Sequence, residues 1–357
     1  MATLFIPGPT DVAPSVLQAQ AQPLIGHRSG AFSDLFERIQ IRLKQVLQTD
    51  HRVYVTASSG SGLQEAAVRN CVGSRLLLCS CGAFGDRWYQ VAQANGVPVD
   101  LLPGAWGQPI LADQVAEAMQ ANTYDALAVV HNETSTGVES PIEAITRRAK
   151  EINPQVIVLV DAVSSAAGVD LPVDAWGVDV LLTSSQKCFG LPPGLAFAAV
   201  SDAALERAQS VEHRGWYFDF LELEKYLVER RSTPATPAIT LLYALDAQLD
   251  RILAEGLPTR FARHIAMAER VRQWAHERGF EPFAAEGYRS KTVTTATKTP
   301  DLDFEGLTGF LKSRNMVIAN GYGKIKAQTF RIGHMGEITL QDVNLLLETI
   351  DEFLDGR

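Results

Sequence analysis

Residues 156–187 read VIVLVDAVSSAAGVDLPVDAWGVDVLLTSSQK. Two apolar runs stand here, 156–160 and 178–182, and each is followed by a charged residue. Asp161 comes directly, and Lys187 comes after Thr183-Ser184-Ser185-Gln186. Both runs are short, β-branched-rich and apolar on both faces, which is the pattern of strands buried inside a mainly parallel sheet. A carboxylate placed straight after five apolar residues is costly unless it meets a partner. A metal, a ribose hydroxyl or a protonated ring nitrogen would each serve. A lysine in the same setting either snorkels to water or is used chemically. The neighbours of Lys187 are small hydroxyl residues, so a simple ion pair does not account for it.

Working outward, similar apolar runs occur at 52–55, 76–79, 126–130 and 195–200. Helix-like segments at 62–70, 83–95 and 142–152 lie between them. Strand–helix–strand alternation predicts an α/β, doubly wound sheet. The stretch 230–237, RRSTPATP, breaks the alternation. A long helical segment follows from about 238 to 279, interrupted at Gly256-Leu257-Pro258. Strand-like runs at 292–296 and 330–333 and helical runs at 304–314 and 340–354 then suggest a smaller α+β unit. The expected division is a large domain over 15–245 and a small one built from 1–14 and 246–357, with the first dozen residues packing on the small domain or crossing to a partner.

At 357 residues the chain exceeds one typical domain. Hydrophobic residues at 46% and charged residues at 20% are ordinary for a globular protein with a sizeable core. A net charge of −9 argues against a nucleic-acid groove. The four cysteines, Cys71, Cys79, Cys81 and Cys188, form no C-x-x-C pair and have no histidine at zinc spacing, so no metal site and reduced thiols are expected. The N-terminus, MATLFIPGPTDVAP, lacks a basic start and a long apolar run, and no run approaches membrane-span length. A soluble, cytoplasmic protein with no membrane partner is expected.

In an open α/β sheet, ligands bind at the carboxyl ends of the strands. After 52–55 comes Thr56-Ala57-Ser58-Ser59-Gly60-Ser61-Gly62, leading into a helix. Small residues at a helix start favour a phosphate, through free N–H groups and the positive dipole end. No lysine follows the second glycine, so this is not a Walker A loop. After 76–79, Phe84 stands among glycines, either as a core anchor or to stack on a flat ligand. After 126–130 comes the polar run His131-Asn132-Glu133-Thr134-Ser135-Thr136-Gly137, in which His131 is read as structural. Together these parts are what pyridoxal 5′-phosphate (PLP) chemistry calls for. A lysine forms an imine with the coenzyme, and a carboxylate keeps the pyridine nitrogen protonated. A Gly/Ser turn takes the phosphate, an aromatic packs on one ring face, and an aliphatic residue such as Val163 packs on the other.

The chain resembles the class V aminotransferases of PLP fold type I, close to the alanine–glyoxylate and serine–glyoxylate/pyruvate group. The resemblance runs nearly end to end. Its landmarks are Pro7-Gly8-Pro9-Thr10, Gly26-His27-Arg28-Ser29, Ser59-Gly60-Ser61-Gly62, Thr134-Ser135-Thr136-Gly137, Val160-Asp161-Ala162-Val163-Ser164, Ser185-Gln186-Lys187 and Arg331-Ile332-Gly333-His334. It implies that Lys187 is the Schiff-base lysine and proton carrier, Asp161 the pyridinium partner, and Val163 the residue beneath the ring. Phe84 would stack above the ring. Ser59, Gly60, Ser61 and Gln186 would cradle the phosphate, with Thr134 near the phenolic oxygen. Arg331 would grip the substrate α-carboxylate. In this family a partner subunit completes the phosphate site, which implies a homodimer and points to Thr236, then Thr233, in the stretch holding Ser232 and Ala235.

The resemblance implies a serine or alanine donor with glyoxylate or pyruvate as acceptor, and ping-pong kinetics. Gly26, His27 and Arg28 complicate this, because a His-Arg pair helps bind substrate phosphate in phosphoserine aminotransferases. A phosphoserine or aspartate donor with 2-oxoglutarate is therefore the alternative. A cysteine desulfurase would want a histidine before the lysine and a later mobile cysteine, and neither is present. A non-catalytic accessory subunit of a redox complex would need a damaged site. A nicotinamide dehydrogenase gives no account of Lys187.

Overall fold

In the computed structural model, which describes residues 2–356, two sheets organise the chain. The larger has seven strands in the order Arg52–Thr56, Ala196–Val200, Val180–Ser184, Ile157–Asp161, Ala126–Val130, Leu76–Ser80 and Val99–Pro103. Ala196–Val200 runs antiparallel to both neighbours, and the other strands share one direction. The five strands from Leu76 through Val200 that lie inside the sheet are buried along their whole length, as expected when helices cover both faces. The fold is that of the PLP fold type I aminotransferases.

All six apolar runs are strands. The seventh, Val99–Pro103, escapes the pattern because it is an edge strand, half-exposed along its length. The strand read at 156–160 lies one residue later, at Ile157–Asp161, so Asp161 is itself a strand residue, opposite Val130 and Leu182. Helices Gly60–Cys71, Ala83–Ala94 and Ile142–Ile152 follow the strands that begin at Arg52, Leu76 and Ala126.

The long helical stretch is two helices, Ile239–Glu255 and Leu257–Glu277. Gly256 divides them at φ 80°, a left-handed conformation that a side chain resists, and Pro258 sits in the first turn of the second helix. The smaller sheet has the order Thr3–Phe5, Met316–Asn320, Thr329–Gly333, Val293–Thr297. Thr3–Phe5 pairs in parallel with Met316–Ile318, which places the first strand of the chain in the smaller sheet. Behind this sheet Phe330 is 1% exposed and meets the edge of the Phe280 ring at 5.3 Å. Among the described residues no helix is long and apolar enough to cross a membrane.

Phe330→Ala removes the ring at the centre of this smaller core. It is expected to destabilise the protein by about 3–5 kcal/mol, read as a lower urea midpoint.

Candidate active site

Nine of the residues singled out in the sequence line one cavity of about 270 Å³: Ser59, Gly60, Ser61, Phe84, Thr134, Asp161, Val163, Gln186 and Lys187. The cavity opens at the carboxyl ends of the parallel strands. At one wall the helix Gly60–Cys71 begins. Its N-cap residue, Ser59, makes no side-chain capping bond, so its hydroxyl stays available beside the free N–H groups of the first turn. Gly60 is required there, because a Cβ would fall 2.4 Å from Val163 Cγ2. The absent side chain lets the helix start pack directly on Val163.

Asp161 is buried, and both of its oxygens are held. Gln64 Nε2 donates to Oδ2 at 2.7 Å and the Val163 N–H donates to Oδ1 at 2.9 Å. Burial pushes its carboxyl up to about 6, against the pull of these donors. Lys187 is moved the other way. Burial lowers its amine to about 8, and the nearby Arg331 cation adds to the effect. The amine donates to the carbonyl of Pro7. The segment from Pro7 to Thr10 forms a strap over the lysine. A Cβ on Gly8 would stand 2.7 Å from Lys187 Nζ. Thr10 anchors the strap, with its N–H on Gln186 O and its hydroxyl on Lys187 O at 3.0 Å.

On the opposite side, the helix Ala83–Ala94 carries Phe84. Its N-terminus is capped by buried Glu133, which accepts the N–H groups of Phe84 and Gly85 and the hydroxyl of Ser135. A carboxylate at a helix start complements the dipole. Thr134 Oγ1 lies 2.6 Å from Ser164 Oγ. Arg331 stands just beyond this wall on the strand Thr329–Gly333, with Nη1 donating to Thr134 O and Nε to Asn320 O. His131 is buried and paired with Ser165 at 2.8 Å, and burial lowers its pKa. It is a neutral structural group.

Five other singled-out residues are not brought to this cavity by the single chain. Arg28 donates to Ser232 Oγ, Thr233 O and Pro234 O, and its guanidinium lies 5.0 Å from the Tyr226 ring centre. The carbonyls of Gly26 and His27 bond Ser29 and Ser232. Thr233 and Thr236 line a separate small cavity with Trp216 and Tyr217. Conversely, Gln64, Arg87, Asn132 and Ser164 line the Lys187 cavity without having been singled out. Helical spacing was the available signal for two of them. Gln64 follows Gly60 by four positions and Arg87 follows Phe84 by three, each on the same helix face. Among the described residues no group of acids, histidines and cysteines is arranged to hold a metal.

These residues fit PLP. The cavity offers a partly buried amine with a lowered pKa, a held carboxylate across from it and a helix start free of side-chain capping. The side-chain carbonyls of Gln64, Asn132 and Gln186 are buried without donors, as walls that expect a polar ligand are. The family description "Aminotransferase class-V" matches residues 6–326. The chain is a class V aminotransferase. It is 38% identical over 93% of its length to an uncharacterized aminotransferase of Methanocaldococcus jannaschii, spanning 87% of that protein. It is 35% identical over 99% of its length to a protein named soluble hydrogenase, small subunit, of Synechococcus, spanning 93% of it. It is 34% identical over 94% of its length to the L-aspartate–glyoxylate aminotransferase of Paracoccus denitrificans, spanning 87% of it. The crystal structure of alanine–glyoxylate aminotransferase from Nostoc superposes with a TM-score of 0.94 at 31% identity, covering 99% of this chain and 95% of that one. The enzyme is thus a PLP-dependent transaminase.

Two outcomes follow from the lysine's surroundings. Covalent capture of coenzyme by the apoprotein should quicken as pH rises and level off above about pH 8, where the Lys187 amine is mostly neutral. An unshifted lysine would keep gaining to about pH 10.4. Gly8→Ala, which drives a methyl group into the lysine from a backbone at φ 113°, should lower turnover on the order of 10²-fold, measured in steady-state assays.

Proposed function

We propose that this transaminase moves the amino group of a small donor, serine or alanine, to a small 2-oxo acid, glyoxylate or pyruvate, in two half-reactions. The observation that carries the reading is the pairing of a depressed lysine amine with a held carboxylate across one small cavity. At about 270 Å³ the space is slightly smaller than the roughly 300–1,000 Å³ usual for ligand pockets. A coenzyme bound here would take up much of it and leave room for few substrate carbons under the strap. Both the Paracoccus and the Nostoc relatives carry glyoxylate in their names.

When bound, PLP supplies an electron sink for the pair released as the donor's Cα–H bond breaks. The chain's residues supply the rest. Asp161 holds a proton on the ring nitrogen, with Gln64 and Val163 N–H fixing the carboxylate's direction. Lys187 Nζ, more often neutral at pH 7–8 than an ordinary lysine, accepts the α-proton and returns it. Arg331 takes the α-carboxylate in a bidentate grip. Ser59, Gly60, Ser61 and Gln186 receive the phosphate, Phe84 and Val163 enclose the ring, and the strap and Thr134 close the site against water.

A homodimer belongs to this reading. Thr233 and Thr236 sit away from their own chain's cavity, beside Trp216 and Tyr217, which are 57% and 45% exposed. Such large exposed rings suit burial against a second copy, which would bring a threonine to the neighbouring phosphate site. A phosphoserine donor is less favoured, because Arg28 is engaged by a side chain and two carbonyls of its own chain. An accessory role of the kind suggested by the Synechococcus relative's name would leave the intact Lys187, Asp161 and Arg331 without purpose.

Lys187→Ala should abolish turnover and the visible absorbance of lysine-bound coenzyme. Retained transamination in that variant would overturn the reading.

A further inference from the structure

Arg260 lies outside the cavity, yet it is almost wholly buried, at 1% exposed. It stands in the first turn of the helix Leu257–Glu277. A buried charge is costly unless it is paired and its donors are met. Glu255 Oε2 accepts from Nη1 at 2.7 Å and supplies the counter-charge, with Glu337 Oε1 3.7 Å away. The rest of the fork meets backbone. Nε donates to Ala167 O at 2.9 Å and Nη2 donates to Cys188 O, with Gly336 O 3.4 Å from the same nitrogen.

These three carbonyls belong to segments that build the site. Cys188 directly follows Lys187. Ala167 lies in the turn after Asp161 and Val163, and it holds a left-handed backbone at φ 65°, which a side chain resists. Gly336 passes the lysine's own carbonyl, since a Cβ there would lie 3.3 Å from Lys187 O. The turn and the lysine loop also touch directly, because a Cβ on Gly168 would fall 2.6 Å from Cys188 Sγ. A planar guanidinium presents its donors in fixed directions, so holding two carbonyls at once fixes one segment against the other. We infer that Arg260 is a positioning residue. By joining Cys188 O to Ala167 O, it sets the Lys187 loop against the Asp161 turn and so aims the amine across the cavity from the carboxylate. This rests on the reading of Lys187 as the coenzyme's lysine. Arg263, one turn further along the helix, shows what a tie without that link is. It donates to Glu255 Oε1, Gly336 O and Ile338 O, and among the described residues it makes no bond to Cys188 or Ala167.

The test removes PLP from purified holoenzyme and follows its covalent recapture against pH, beside steady-state constants and the urea midpoint of the reloaded enzyme. Arg260→Lys keeps the charge beside Glu255 and loses the fork. It should slow recapture and lower kcat by roughly 10- to 100-fold, with KM for the amino donor little changed. Its recapture should also need a higher pH than the wild type's, whose amine burial lowers to about 8. Asp161, Arg331 and Arg87, the charged groups around that amine, are the same in both proteins, so the displacement reports the lysine's placement. Arg263→Lys is the control for a structural loss. It should lower the urea midpoint without moving the rate or the pH dependence of recapture. Wild-type recapture in Arg260→Lys overturns the proposal, and so does an Arg263→Lys variant that slows recapture as much. If Arg260→Lys yields no folded protein, Glu255→Gln decides. Releasing one arm of the fork should slow recapture by a smaller factor, and unchanged recapture there overturns the proposal. A wild type that recaptures no coenzyme, or a Lys187→Ala variant that does so covalently, sinks the lysine reading itself. Normal recapture in wild type and Arg260→Lys alike sinks the role of Arg260 alone.

Discussion

The amine of Lys187 is partly buried, with a backbone carbonyl, that of Pro7, as its hydrogen-bond acceptor. A lysine normally holds its charge far above neutral pH. Burial here lowers the amine to about 8, which favours the neutral form needed to attack a carbonyl or take a proton. Much of the surrounding structure maintains that condition. The lysine loop is fed by an internal strand, and the strap from Pro7 to Thr10 is fastened to it at Gln186 O and Lys187 O. Three glycines make the close approach possible. Gly8 clears the lysine side chain, Gly333 clears the backbone of Ile6 by lacking a Cβ that would lie 2.3 Å from its carbonyl oxygen, and Gly336 passes Thr10.

The electrostatics around the cavity divide by sign. Two helix starts face inward. One is answered by buried Glu133 and carries Phe84, while the other has no side-chain cap, which suits the phosphate proposed to sit there. The buried carboxylate Asp161 is steadied by an amide and a backbone N–H rather than by a cation, which in the proposed reaction leaves its charge for the ring nitrogen. Arg87 lines the cavity and Arg331 stands just beyond it, and both add positive charge there. Among the described residues neither makes an ion pair, unlike the many arginines paired at the surface, whose pairs carry little net energy.

What the sequence revealed follows physical lines. Strands buried on both faces announce themselves as apolar runs, and all six were legible. The edge strand Val99–Pro103 was not, because none of its residues is fully buried. Thr3–Phe5 and Met316–Asn320 are short and only partly buried, and their pairing joins residues too far apart in the chain for any local pattern to register. In the site, residues directly after strands were legible because polar groups there contrast with what precedes them. Gln64 and Arg87 sit inside helices, where a polar residue is unremarkable until its face is known. His27 and Arg28 stood out as a motif, yet their contacts run to the 232–234 segment, a distant partnership without a local signature.

The pairing of Thr3–Phe5 with Met316–Ile318 also has a consequence for the order of assembly. Loop-closure entropy makes a contact between residues so far apart in the chain a slow one to form. The larger sheet is built from pairings closer in sequence and can form first, with Lys187 still open on the side of Pro7. The segment from Pro7 to Thr10 then behaves as a latch, drawn fully into place once the smaller sheet has paired.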